Sequence, residues 1–108
     1  MINSWLVYKI ASLIPKGKVL TYGKLAKISG IKNPRIVGSI LHENKDPKNI
    51  PCYRVVSSLG KVAENYAFGG AGEQIKKLQN EGVKIIGNKV DLDKHLWKPS
   101  KFFLWYQI

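Results

Sequence analysis

The only cysteine of the chain, Cys52, lies in the heptapeptide Ile-Pro-Cys-Tyr-Arg-Val-Val at residues 50–56. Pro51 restricts the backbone just before the thiol. Arg54, two residues after it, supplies a cation that favours the thiolate, which is the nucleophilic form of cysteine. A lone cysteine is also commonly a small buried apolar residue. The heptapeptide by itself therefore leaves both interpretations open, a nucleophile and a core residue.

The composition limits the other kinds of site. A single cysteine excludes an intramolecular disulfide and a multi-cysteine metal site, and the two histidines, His42 and His95, are far apart in sequence. We therefore expect neither a metal nor another cofactor. A free thiol, an N-terminus without the pattern of a signal peptide and the lack of a membrane-length apolar segment predict an intracellular protein, in the cytoplasm or nucleus, that is neither secreted nor bound in a membrane.

The charge balance points to a polyanionic partner. The chain carries 18 Lys and Arg against 7 Asp and Glu, a formal net charge of +11. Such an excess in a small domain favours nucleic acid as the partner, although a solubilising coat of lysines would give the same balance. All but two of these cations are lysines, and the two arginines, Arg35 and Arg54, offer a planar fork that can also stack.

The first half of the chain predicts three helices that would hold these residues. A helix beginning near Asn3 or Ser4 should end at Pro15. Thr21 should cap a second helix over residues 22–29, which Gly30 terminates. Asn33 as cap and Pro34 at the first helical position predict a third helix to about residue 43. Two short helices joined by a tight turn are typical of a helix-turn-helix, with an ordinary helical hairpin as the alternative.

The second half predicts further elements around the cysteine. We expect Lys61 and Val62 to pair back as a strand, a fourth helix over residues 71–80, and a hairpin over residues 83–92 that turns at Gly87 and Asn88. The apolar tail, within residues 100–108, should either pack on the domain or expose an adhesive patch. The expectation is one mostly α-helical domain with a small β-sheet, of the α+β class, spanning residues 1–108.

Several of these motifs occur together in a familiar order. They are Thr-Tyr-Gly-Lys-Leu-Ala at 21–26, Arg-Ile-Val-Gly at 35–38, Asn44, the heptapeptide at 50–56, Gly60, Tyr-Ala-Phe-Gly-Gly at 66–70 and Glu-Gly-Val at 81–83. Over about residues 3–86 the chain resembles the DNA-binding and catalytic domain of O6-alkylguanine-DNA alkyltransferases, also called methylated-DNA–protein-cysteine methyltransferases. Residues 90–99 look more like the related alkyltransferase-like proteins, which bind alkylated DNA but lack the cysteine.

The resemblance implies a winged helix-turn-helix-like domain and a specific activity. Such a domain would bind double-stranded DNA in the minor groove, flip O6-alkylguanine out of the stack and transfer the alkyl group irreversibly to Cys52. Asn44 would brace the loop that carries the nucleophile, and Glu81 would belong to a polar relay behind it. Tyr53 occupies the relay position after the cysteine, where the family usually has histidine.

The resemblance also implies how the DNA would be held. Tyr22 would contact the flipped base and the adjoining phosphate, and Arg35 would fill the vacated space in the stack. The other candidate DNA-binding residues are Gly38, where a bare helix surface lets another backbone approach, and Arg54. The base pocket would be formed by Leu41, Val55, Tyr66 and Ala67, with the backbone of Cys52 and Val55 reading the guanine edge.

The tyrosine at position 53 keeps alternatives open. A phenol with an ordinary pKa of about 10 stays protonated at neutral pH and is a poor base for the thiol proton. The sequence therefore supports three hypotheses: a single-turnover DNA repair alkyltransferase, a non-enzymatic protein that flags alkylguanine for other repair proteins, and a sequence-specific helix-turn-helix regulator. We expect a monomer in each of the first two cases.

Overall fold

The computed structural model describes residues 4–63, 66 and 68–107. The chain begins with three packed helices. These are α1 (Ser4–Leu13), α2 (Tyr22–Ser29) and α3 (Pro34–His42). The Thr21 hydroxyl accepts a hydrogen bond from the Lys24 N–H, and Asn33 caps α3 in the same way through the Arg35 N–H. Gly30 ends α2 with a φ of 73°, a left-handed conformation that side chains with a Cβ disfavour. The predicted caps of α2 and α3 are therefore confirmed.

The cysteine lies on a short 3₁₀ turn, Cys52–Arg54, that leads directly into a strand. That strand, β2 (Val55–Val56), pairs in parallel with β1 (Leu20–Thr21), which immediately precedes α2. Because β1 and β2 are paired, the start of α2 and the cysteine turn are held side by side. This pairing joins segments more than thirty residues apart in sequence.

The remaining elements complete the α+β class predicted from the sequence. They are α4 (Gly70–Asn80), an antiparallel hairpin of β3 (Ile85–Ile86) and β4 (Lys89–Val90), α5 (Leu92–His95) and α6 (Lys101–Gln107). None of the helices in the described part of the chain combines the length and apolarity needed to cross a membrane.

Two apolar clusters hold these elements together. The first lies between α1, α2, α3 and the cysteine turn and contains Ile10, Leu25, Val37 and Cys52 itself. The second packs α4 against the hairpin, with Leu78 at its centre, and Tyr53 contacts both clusters. Burying a leucine or isoleucine side chain completely stabilises a fold by roughly 1.5–3 kcal/mol, so the first cluster fixes the helices around the thiol firmly.

Two expectations for the second half need comment. Lys61 and Val62 were predicted to pair back as a strand. The Lys61 carbonyl does accept from the Ser57 N–H just after β2, but Lys61 forms only an isolated bridge, to Lys89, and the Val62 N–H donates to the Asn88 carbonyl of the hairpin. Gly60 explains why the chain runs to the hairpin here, since its φ is +85° and a Cβ there would lie 2.6 Å from the Val90 carbonyl oxygen. The apolar tail does both things that were predicted, because Leu104 packs on the first cluster while Trp105 is 75% exposed.

Candidate functional site

A cavity of about 470 Å³ lies between the start of α2, one face of α3 and the cysteine turn. Six of the residues predicted from the sequence line it, namely Tyr22, Arg35, Gly38, Leu41, Cys52 and Tyr66. The other lining residues are Ser39, His42, Glu43 and Ala63. A larger groove of about 850 Å³ lies beside the C-terminal segment, but none of the predicted site residues lines it.

The helix caps determine which side chains reach this cavity. The Thr21 cap makes Tyr22 the first residue of α2, and the Asn33–Pro34 pair places the exposed Arg35 in the first turn of α3. Gly38, three residues further along α3, faces the Tyr22 ring, because a Cβ built on it would lie 4.0 Å from Tyr22 Cε1. Between Arg35 and Tyr22, the wall of the cavity is therefore formed by the backbone of Gly38, which another molecule can approach closely.

Asn44 holds the loop that delivers the cysteine. Its Nδ2 donates to the Ile50 carbonyl oxygen at 2.8 Å, and its Oδ1 accepts from the Asp46 N–H at 2.9 Å. The Cys52 N–H donates to the same Ile50 oxygen at 2.8 Å. Because the Asn44 side chain is buried, both of its bonds are shielded from water. These contacts fit the prediction that Asn44 braces the loop that carries the cysteine.

The Cys52 thiol is buried but opens onto the cavity. Burial raises its pKa above the ordinary value for cysteine, because the thiolate is the form that loses hydration. The polar side chain of Asn44, the backbone N–H groups of the cysteine turn and the positive charge of Lys77 act in the opposite direction without cancelling the effect of burial on this pKa. The thiol is therefore mostly protonated at neutral pH, and its reaction as a nucleophile requires loss of that proton.

Tyr53 is not suited to act as a base, and its hydroxyl is bound to Glu81. Its hydroxyl donates to Glu81 Oε2 at 2.5 Å. Burial, followed by this hydrogen bond, raises the Tyr53 pKa to about 12. Glu81 also accepts the Gly17 N–H at 3.2 Å and pairs with the Arg54 guanidinium, contacts that hold the pKa of its carboxyl below the usual value despite its burial. The two residues of the predicted relay are thus a protonated phenol, Tyr53, and an ionised carboxylate, Glu81.

Three of the residues predicted to bind DNA or to form the base pocket lie apart from the cavity or outside the structure's description. The Arg54 guanidinium donates to Glu81 and to the Ile14 carbonyl oxygen, so it is engaged within the protein and does not line the cavity. Val55 is fully buried; its N–H donates to the Cys52 oxygen and its carbonyl accepts from Gln74. Ala67 falls outside the described residues. The DNA contact of Arg54 and the base-reading role of Val55 stay predictions that this geometry does not favour.

Two residues near the site were missed by the sequence argument. Gln74 is fully buried and connects the cysteine turn to the cavity wall: its Nε2 donates to the carbonyls of Tyr53 and Val55, and its Oε1 accepts the Ala63 N–H at 2.8 Å. A polar residue four positions before Leu78, on the buried face of α4, was the available signal. Lys77 gave no such signal, because its neighbours come together only through the tertiary fold.

Comparisons with known proteins agree with this arrangement. Residues 4–83 match the family described as "6-O-methylguanine DNA methyltransferase, DNA binding domain". The chain belongs to this family. It is 33% identical over 99 residues to alkyltransferase-like protein 1 of Schizosaccharomyces pombe, covering 86% of this chain and 92% of that protein.

A second relative and a solved structure extend this comparison. The chain is 39% identical over 90 residues to a bifunctional methyltransferase/endonuclease of Picrophilus torridus, covering 82% of this chain and spanning only 30% of that protein. A crystal structure of Schizosaccharomyces pombe Atl1 in complex with damaged DNA containing O6-carboxymethylguanine is similar with a TM-score of 0.80 and 31% identity, over 89% of this chain and 94% of that one. The family membership and the winged helix-turn-helix-like α+β fold expected from the sequence are confirmed.

Proposed function

We propose that this protein binds double-stranded DNA containing O6-alkylguanine, turns the alkylated base out of the stack into the 470 Å³ cavity, and accepts the alkyl group on Cys52. The observation that carries the proposal is that the single thiol opens into the same cavity as Tyr22, Arg35 and Gly38. A similar structure holds DNA with a related lesion, which supports this partner.

The cavity suits an extruded base for physical reasons. A guanine inside a duplex cannot meet a protein thiol, so the base must leave the stack at a cost of roughly a few kcal/mol. Arg35 is exposed in the first turn of α3, and its flat, charged side chain is suited to fill the gap and stack on the neighbouring bases. The aromatic rings of Tyr22 and Tyr66 offer faces and edges to a base inside the cavity.

The transfer itself is a displacement at the alkyl carbon. The Cys52 thiol gives its proton to water, the sulfur lone pair forms the S–C bond, and the C–O bond to guanine breaks. The bond's electron pair stays on the guanine, which takes up a proton from water on a ring nitrogen. The product thioether is stable, so each molecule reacts once. The raised pKa of Cys52 and the protonated Tyr53 make the first of these steps slow at neutral pH.

A second function, recognition without transfer, is favoured by the same two groups. The Tyr53 hydroxyl donates a hydrogen bond to Glu81, keeps its proton and offers no lone pair with the basicity needed to deprotonate the thiol. The similarity to an alkyltransferase-like protein along nearly its whole length points the same way. In this case the cavity would hold the lesion for other repair proteins, and Cys52 would be one of its apolar walls.

The fate of the DNA separates the two functions. Duplex containing a single O6-methylguanine is incubated with excess protein, and its nucleosides are then separated and quantified. Transfer converts O6-methylguanine to guanine, whereas recognition leaves the lesion intact in a stable complex. Cys52→Ala is the matched control, since it should bind the lesion duplex as tightly as the wild type and repair none of it. Equal affinity for lesion and unmodified duplex would refute both functions.

A further inference from the structure

The ammonium group of Lys77 lies among three aromatic rings. Its Nζ is 5.5 Å from the ring centre of Tyr53, 5.3 Å from that of Tyr66 and 5.7 Å from that of Phe68. It also donates a hydrogen bond to the Tyr66 hydroxyl at 3.0 Å. A lysine that contacts this many ring faces is attracted to each of them and loses the freedom of an ordinary surface lysine. The neighbouring Lys76, in contrast, is exposed.

Two of these rings connect Lys77 to the surroundings of the thiol, although Lys77 itself lines a neighbouring groove with Tyr53 and Glu81. Tyr53 directly follows Cys52 in the chain, and Tyr66 lines the same cavity as the thiol. The charge of Lys77 also opposes the effect of burial on the pKa of Cys52. Other titratable and charged groups also surround the thiol. Tyr8 comes from α1, Tyr22 from α2, and Tyr66 from the loop before α4; Arg35, His42 and Glu43 come from α3 and its C-cap.

We propose that Lys77 is a positioning residue for the reaction: its ring-bound ammonium stabilises the Cys52 thiolate in a site where tyrosine stands in the position of the usual histidine. The proposal rests on the function proposed above. It differs from general-base catalysis, because Lys77 takes no proton from the thiol. The proton goes to water, and the fixed positive charge makes that loss less costly.

The arrangement of Tyr53 gives this cation its importance. With its hydroxyl committed to Glu81, Tyr53 presents its ring face to Lys77 and offers the thiol no base. The guanidinium of Arg54 is paired with Glu81, so that its charge is largely neutralised. Lys77 has a phenol hydroxyl and ring faces as its partners in the contacts above, and none of these neutralises its charge. The carboxylates around it are those of Glu73, whose charge acts on Tyr66, and Glu81, which lines the same groove; in the described part of the chain the ion pair of Glu81 is with Arg54.

The test measures thiolate formation directly, without DNA. The rate of Cys52 alkylation by iodoacetamide is followed from pH 6 to pH 11 in wild type, Lys77→Met, Lys77→Arg and Lys76→Met. In Lys77→Met the midpoint of the pH profile should rise by about half a unit, which lowers the rate at neutral pH roughly 3-fold. Lys77→Arg should retain most of the wild-type midpoint, and Lys76→Met should leave it unchanged. The plateau at high pH reports access to the thiol separately.

A purely structural role for Lys77 predicts a different result. Loosening of the cavity would change the plateau and leave the midpoint in place, and that outcome would overturn the proposal. An equal shift in Lys76→Met would also overturn it, because it would indicate a general effect of net charge. If Lys77→Met does not fold, Lys77→Gln removes the charge and keeps a donor for Tyr66, and an unchanged midpoint there would be equally decisive. Since alkylation requires no lesion, absence of methyl transfer from DNA would count against the proposed function alone.

Discussion

The difference between tyrosine and histidine at position 53 sets the expected speed of the reaction. The phenol has a pKa of about 12 and donates to Glu81, so it cannot accept the thiol proton near neutral pH. Tyr53→His would place an imidazole there, which titrates close to neutrality and can still donate to Glu81. We expect single-turnover transfer from O6-methylguanine to be faster in Tyr53→His by roughly 10-fold or more. Equal rates for the two proteins would show that deprotonation by this residue does not limit transfer.

The proposed role of Arg35 is one that another surface cation could not take over. If it fills the space left by the flipped base, Arg35→Ala lets the base return to the stack and should weaken binding to a paired lesion strongly. The loss should shrink when the lesion lies opposite an abasic position or in single-stranded DNA, where extrusion costs little. The measurement is the dissociation constant of both proteins on paired and unpaired lesions.

Lys32 provides the control for this comparison, since it is exposed in the turn between α2 and α3. A lysine that contacts phosphate should lower the dependence of log K on log salt by about one unit when replaced by alanine, with similar losses on both substrates. Equal losses on paired and unpaired lesions for Arg35→Ala would mean that Arg35, too, is only a phosphate contact.

At the scale of elements, Glu81 connects segments that surround the cysteine turn. It ends α4, accepts from Gly17 in the turn after α1, and binds both Tyr53 and Arg54 of the 3₁₀ turn. Glu81→Gln leaves the partly buried Arg54 without its counter-charge, so we expect a loss of about 2–3 kcal/mol in the free energy of unfolding. Chemical denaturation at neutral pH measures this loss.

The same contacts give the stability a dependence on pH with a defined sign. Because the folded-state pKa of Glu81 is lowered, its contribution is present above the ordinary value of a glutamate and disappears as pH falls through the lower, folded-state value. The stability difference between wild type and Glu81→Gln should therefore narrow in acid. A difference that stays constant from pH 7 to pH 3 would contradict the ionised pair.

The elements that the sequence could predict are those specified by local signals. Thr21, Gly30, Asn33 and Pro34 predicted the bounds of α2 and α3 because capping depends on residues within one turn. The pairing of β1 with β2 had no local signal, since two-residue strands carry no alternation to read. The same limit explains why the bridge from Lys61 to Lys89 was not predicted, since it depends on the approach of the hairpin to Gly60, whose carbonyl accepts the Val90 N–H.

At the scale of the whole molecule, the site combines residues that motifs could identify with contacts that only packing creates. The motifs indicated Tyr22, Arg35, Leu41, Cys52 and Tyr66, all of which line one cavity. They could not indicate that Arg54 turns inward to Glu81, because the charge of an arginine does not reveal its partner. The net charge of +11 predicted a polyanionic partner, but the convergence of three rings on one lysine required the fold.

The mass of the intact protein tests most directly the central claim, that Cys52 accepts the alkyl group of a base held in the cavity. Wild-type protein and Cys52→Ser are incubated with duplex containing O6-methylguanine and then weighed by mass spectrometry, with peptide mapping to locate any change. The account predicts that the wild type gains one methyl group in place of one proton, on Cys52, in a yield set by the amount of lesion, and that Cys52→Ser gains nothing. An unchanged mass after prolonged incubation with a bound lesion duplex would contradict it, and would leave lesion recognition as the function of the cavity.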